Sequence, residues 1–295
     1  MNHSGCHIIF LPINNHEGQR PYVMITSVNN DRVKRAVSYT QKSKARREDK
    51  VFIIEGMKML REAPVLQVCE VYVTEEFLDI ATEDDKEILW RYGAETVSFE
   101  VMKKMADTRT PQGVLAVVSW YEYTYEEVLE GYNAAAGEER MAPLLLVLEN
   151  IQDPGNLGTM FRSGEGAGVT GIILGKGCAD LYNPKVIRST MGSIFRMPYI
   201  YVESVPDVVR NLGSRGIKTY AAHLKGQKNY DEFNYLGPTA FIIGNEGNGL
   251  TDETADAAGE YVLIPMKGSV ESMNAATSSA ILTFEASRQR REKEE

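Results

Sequence analysis

The sequence predicts an α/β protein of two domains, the second built on a mainly parallel sheet. Three observations lead there. Short apolar, strand-like runs alternate with helix-like stretches along most of the 295 residues, the order that a sheet layered with helices requires. The length exceeds that of one typical domain. The composition also changes in the middle, where residues 119–142 hold six glutamates against one arginine.

Taken in order, residues 1–23 carry three of the four histidines and show neither a helical nor a strand period. They are expected to be a disordered extension, with a specificity tail as the alternative. A first α/β domain is expected over 24–118. Asn29, Asn30 and Asp31 offer helix caps. Strands are predicted at 51–54, 68–73, 95–97 and 113–118, with helices at 57–63 and 86–92. The acidic stretch 119–142 reads as a linker with some helix, its glutamates a solvated face. The second domain, 143–295, opens on the continuous apolar run 144–148, as expected of a strand buried on both faces. Further strands are predicted at 171–174, 199–202, 218–222, 240–243 and 261–265, and one long helix at 275–291.

The bulk numbers exclude several classes. With 43% hydrophobic and 25% charged residues the chain is globular in composition. No apolar run reaches the length of a membrane span, and the start lacks the order of a signal peptide. The three cysteines form no CxxC pair and the histidines do not cluster, so no metal site is expected. A reducing cytoplasm fits. The net charge of −9 argues mildly against nucleic acid. Residues 31–50, however, hold eight lysines and arginines against three acids, and a local patch steers a polyanion even on an acidic molecule.

Three segments follow predicted strands, where open α/β sheets place their ligand sites. The first runs Glu149-Asn150-Ile151-Gln152-Asp153-Pro154-Gly155-Asn156 and reaches Arg162 within the next helix. As four residues, 153–156 equally make a plain turn and helix cap, with Asn156 near the helix start. Arg162 is expected on the buried side, where an unpaired guanidinium would be costly. The second segment is Gly244-Asn245-Glu246-Gly247-Asn248-Gly249, whose glycines let backbone approach a ligand. It lacks the position and the following acid of a dinucleotide fingerprint. The third spans 264–276, with Ser272 and Asn274 as possible caps. Each segment alone is weak.

Together, in this order and spacing, the three segments resemble the SpoU (TrmH-like) group of SPOUT RNA 2′-O-methyltransferases, over residues 144–291. The stretch Asn183-Pro184-Lys185-Val186-Ile187-Arg188-Ser189 is similar too, and residues 27–118 resemble the family's substrate-binding domain. That domain is similar in fold to ribosomal proteins that bind kink-turn RNA. The resemblance implies a deep trefoil knot in the second domain, which no composition or periodicity suggests. It implies S-adenosylmethionine as cofactor, contacted by Gly244, Ile264 and Met273 with Asn245, Gly249 and Met266 beside them. Met273 stands where the family usually has leucine, and Ser163-Gly164 replaces its commoner Thr-Ala.

By the same resemblance Arg162 is the catalytic residue, either a base or a group fixing a nearby phosphate. Guanidinium stays protonated, so positioning and electrostatics are its expected contribution. Asn156 orients it, and Glu246, Ser272 and Asn274 line the site. RNA is expected to meet Lys44, Arg46 and Arg47, with Lys185 and Arg188 as further phosphate contacts or merely a solvated face. The family implies a homodimer, with Ile281, Leu282 and Phe284 as interface or core. The favoured substrate is large-subunit ribosomal RNA; transfer RNA, or RNA binding without catalysis, are the alternatives.

Overall fold

The structure, a computed structural model, describes residues 24–130 and 142–294. The N-terminal extension and much of the expected linker lie outside the described residues. The chain divides into two compact units. One runs to Tyr121 and includes Tyr182–Arg188; the other takes Glu122–Leu181 and the chain from Ser189 onward.

The first unit contains, in order, α1 (Asp31–Gln41), α2 (Ser43–Asp49), β1 (Val51–Glu55), α3 (Met57–Glu62), β2 (Val68–Thr74), α4 (Glu75–Ile80), α5 (Glu83–Arg91), β3 (Glu95–Val97), α6 (Phe99–Met105) and β4 (Val114–Ser119). Asn30 caps α1 by accepting from the Arg32 amide at 2.9 Å, as its cap chemistry predicts. Thr82 and Asp85 close a reciprocal capping box on α5. The sheet order is β1-β4-β2-β3, with β4 antiparallel to β1 and β2 and only β2 and β3 parallel. Three helices, α2, α4 and α6, go beyond the sequence expectation. Of these, α6 buries Val101, Met102 and Met105 completely, a spacing that packs one helical stripe. Val33, Ala36 and Tyr39 of α1 join that core.

The second unit begins inside the expected linker. Helix α7 (Tyr125–Glu130) buries Val128 and Leu129 in the core beneath the sheet. A β-carbon on Gly171 would meet the Val128 carbonyl oxygen at 2.2 Å, so this helix packs directly against the sheet. There follow β5 (Leu144–Leu148), α8 (Pro154–Ala167), β6 (Gly171–Gly175), α9 (Pro184–Thr190), β7 (Tyr199–Val202), α10 (Val205–Ser214), β8 (Lys218–Ala222), β9 (Lys228–Asn229), β10 (Thr239–Ile243), α11 (Asp252–Ala257), β11 (Glu260–Leu263) and α12 (Ala275–Glu294). Residues of α9 through Arg188 group with the first unit.

All pairings in the seven-stranded sheet are parallel, in the order β7-β6-β5-β10-β8-β11-β9. All five residues of β5, and all five of β10, are buried. Burying each leucine, valine, isoleucine or phenylalanine among them contributes roughly 1.5–3 kcal/mol. Because the strands are parallel, their carboxyl ends share one edge. There β10 lies between β5 and β8, and β8 lies between β10 and β11. Helix α12 is fixed at its far end by Arg290, which donates to the carbonyls of Tyr235, Ala142, Pro143 and Gly237 at 2.6–3.1 Å. Along the same helix Leu282 is fully buried while Phe284 is 50% exposed, so Leu282 belongs to the intrachain core.

Candidate active site

The first loop leaves β5 at Glu149. That carboxylate is buried and accepts from the Thr251 amide at 2.8 Å and the Thr251 hydroxyl at 3.0 Å. Asn150 takes the left-handed conformation at φ 55°, which Asn tolerates better than most residues. Its carbonyl accepts from Asn245 Nδ2 at 2.8 Å. Asp153, not Asn156, then caps α8, accepting the Asn156 amide at 2.8 Å, with Pro154 in the first helical turn. This leaves the Asn156 side chain free for other partners.

The second loop closes on itself. Asn245 and Gly249 exchange both backbone hydrogen bonds at 2.9 Å, and Asn245 Oδ1 accepts from the amides of Gly247 and Asn248. Gly244 has no room for a side chain, since a β-carbon there would lie 2.2 Å from the Gly249 carbonyl carbon. The third loop ends at Asn274, which caps α12 by accepting from the amides of Ala276 and Thr277 at 2.9 and 3.2 Å. Ser272 is exposed and caps nothing among the described residues.

The three loops are tied by side chains. Asn274 Nδ2 donates to Asn156 Oδ1 at 2.8 Å, and Asn156 Nδ2 donates to Glu246 Oε1 at 2.9 Å. Glu246 Oε1 also accepts the Asp153 amide at 3.1 Å, and Oε2 the Gln152 amide at 3.3 Å. Burial pushes the Glu246 carboxyl up. Hydrogen bonds from Asn156, Asp153 and Gln152 outweigh that and hold it below the usual carboxylate value.

Beside this network is a cavity of about 250 Å³. Gly244, Asn245, Gly249, Ile264, Met266 and Met273 all line it, as do Glu246 and Ser272. Asn156 and Asn274 stand outside the lining but bond to it through Glu246. Arg162 is exposed, not buried as expected, and forms no hydrogen bond or ion pair among the described residues. Its position on α8, more than a turn past the cap, leaves the guanidinium in solvent. Ala222, His223, Leu224 and Glu271 also line the cavity and were missed. For His223 and Leu224 the signal was available, since they follow the predicted strand 218–222 as the other loops follow theirs.

The basic residues separate. Lys44 and Arg47 are exposed, whereas Arg46 is 3% exposed and donates to the carbonyls of Tyr39 at 2.6 Å and Thr40 at 3.3 Å. Arg46 therefore ties α2 to the end of α1 and does not present its charge. Lys185 is exposed; Arg188 pairs with Asp107 at 2.8 Å.

A parallel α/β sheet with a cavity walled by loops at its strand ends defines a ligand-binding domain of the doubly layered kind. Comparison with known proteins identifies it. The SpoU rRNA methylase family matches residues 143–284, and an MRM3-like substrate-binding domain matches residues 30–116. A tRNA/rRNA methyltransferase of Synechocystis, itself uncharacterized, is 31% identical, over 90% of this chain and 93% of that one. The 23S rRNA guanosine 2′-O-methyltransferase RlmP of Bacillus subtilis is 31% identical, over 88% and 97%. An S-adenosylmethionine-bound rRNA methyltransferase from Sinorhizobium meliloti superposes with a TM-score of 0.76 at 28% identity, covering 90% of this chain and 97% of that one. The chain belongs to the SpoU methylase family.

Proposed function

We propose that this protein transfers a methyl group from S-adenosylmethionine to a ribose 2′-hydroxyl of large-subunit ribosomal RNA. The observation that carries the reading is the Asn274–Asn156–Glu246 chain of hydrogen bonds beside the cavity, with Arg162 unpartnered in solvent.

The cavity suits the cofactor. Ile264, Met266 and Met273 give it apolar wall, Glu246 and Glu271 give it carboxylate, and no lysine or arginine is among its lining residues. Such a lining fits a ligand with a flat adenine ring to pack on apolar wall and a cationic sulfonium. Gly249 gives the wall a surface without a side chain, and Gly244 allows the second loop to fold back tightly enough to form that wall. When bound, the cofactor supplies an electrophilic methyl group.

The chain's own residues then have positioning to do. A ribose hydroxyl is a weak nucleophile, so alignment and proton removal decide the rate. Arg162 holds the phosphate or developing oxyanion next to the attacking hydroxyl. Asn156, fixed by Asn274 and Glu246, sets the start of helix α8, from which Arg162 projects further along. Ser272 lines the substrate side. In this reading the loops after β10 and β11 are those of a deep trefoil knot.

Residues 24–118 would be the RNA-binding domain and 143–295 the methyltransferase domain. Lys44, Arg47 and Lys185 are the solvent-facing cations assigned to RNA phosphates. The enzyme works in the cytoplasm as a homodimer, and Phe284, apolar and half exposed on α12, belongs to its interface. No helix among the described residues is long and apolar enough to cross a membrane.

Arg162→Ala should abolish methyl transfer and leave S-adenosylmethionine affinity nearly intact by calorimetry. Full activity in that variant would sink the assignment. Mapping 2′-O-methyl sites in RNA from a deletion strain would identify the nucleotide, and a missing mark on transfer RNA would replace the ribosomal substrate.

A further inference from the structure

The sheet order puts a fourth loop in the cofactor cavity. The strand β8 runs parallel between β10 and β11, and the loops after both of those line the cavity. The carboxyl end of β8 therefore opens between them, and Ala222, His223 and Leu224 form that part of the wall. Nothing in the three signature segments assigns a role to these residues.

His223 is mounted there like a functional group. Its amide donates to the Val262 carbonyl at 3.1 Å, and its own carbonyl accepts the Gly226 amide at 3.1 Å. The turn packs closely, since a β-carbon on Gly226 would lie 3.0 Å from the Leu263 amide. The imidazole stacks on Tyr261 with centroids 5.0 Å apart and planes at 26°. Its Nδ1 accepts the Lys225 amide at 3.1 Å. An accepting Nδ1 places the proton of the neutral ring on Nε2. Nε2–H has no partner among the described residues. By contrast, the Asn245 amide in the same wall is already committed to Asn150 and Glu246, and its oxygen to Gly247 and Asn248.

We propose that His223 is a cofactor-binding residue whose Nε2–H donates to an acceptor atom of S-adenosylmethionine in this cavity. Ligand cavities set orientation with a few fixed polar groups on apolar walls, and His223 is a rigid, uncommitted donor of that kind. The inference rests on the cofactor reading above.

The test is calorimetric titration of the full-length protein with S-adenosylmethionine, without RNA. Four proteins are compared: wild type, His223→Asn, His223→Phe and His223→Gln. Asn keeps an acceptor for the Lys225 amide and removes the distal donor. Phe keeps the stack on Tyr261, and Gln keeps a distal donor. Asn and Phe should each weaken binding about tenfold, equivalent to ~1.4 kcal/mol, with Gln closer to wild type. The thermal midpoint without ligand should stay at the wild-type value in His223→Asn. Binding at wild-type affinity in Asn and Phe overturns the proposal, as does weakening that only follows a fall in the ligand-free midpoint. No binding by the wild type overturns the cofactor reading itself, a separate and recognisable failure.

Discussion

Replacing Glu246 by Gln tests the joint between the first and second loops. Each carboxylate oxygen takes two donors: Oε1 those of Asp153 and Asn156, Oε2 those of Gln152 and Asn245. Glutamine keeps only one acceptor oxygen, so its amide nitrogen must face two N–H groups. Two hydrogen bonds are lost at a half-buried site where water replaces them in part. At ~0.5–1.5 kcal/mol each, the cost is about 2 kcal/mol. For a unit of this size that lowers the thermal midpoint by roughly 4–8 °C. The carboxyl sits below its ordinary value in the folded protein, so its contribution is complete above the unfolded-state value and is lost as pH falls through the folded one. Wild type should therefore lose stability across the acid range where Glu246→Gln does not lose this increment. The displaced Asn156 should also reduce kcat at least ~10-fold. Thermal melts from neutral to acid pH, with methyl-transfer kinetics at neutral pH, measure both. An unchanged midpoint together with an unchanged kcat would refute the claim that Glu246 holds the loops in register.

Other outcomes follow from the same geometry. Gly244→Ala sets a β-carbon against the Gly249 and Leu250 backbone at 2.2–2.4 Å. It should cost more than about tenfold in cofactor affinity by calorimetry. Lys44→Ala with Arg47→Ala should leave the melting curve unchanged but reduce the slope of log affinity for RNA against log salt by ~1 or more. Arg46→Ala should do the reverse, destabilising by about 2–3 kcal/mol through loss of buried charged hydrogen bonds without changing that slope.

Much of the second unit was legible because its signals are local. A run such as residues 144–148 is apolar throughout because both faces are covered, and Asp153-Pro154 starts a helix by its own chemistry. The missed helix α6 shows the limit in the first unit. Its buried stripe of Val101, Met102 and Met105 is too short to stand out, and it is helical through packing on α1. Arg46 shows another limit, since counting charges cannot say which one turns inward. Lys44, Arg46 and Arg47 look alike in sequence, and only the approach of α1 to α2 brings the carbonyls of Tyr39 and Thr40 to Arg46.

The site was hard to read for a reason rooted in the sheet. Asn156 and Glu246 are 90 residues apart, and Asn156 and Asn274 are 118 apart. They meet because β10, late in the chain, inserts beside β5. No local pattern encodes that insertion, since every buried parallel strand has the same apolar character. Each loop alone is accordingly a turn, a glycine bend or a helix cap. The chemistry exists only where the edges of β5, β10, β8 and β11 lie side by side. His223 follows from this directly, because a strand inserted between two site-bearing neighbours must bring its own end into the site. Strand order thus decides which loops share the cavity, while each loop's sequence decides what it contributes there.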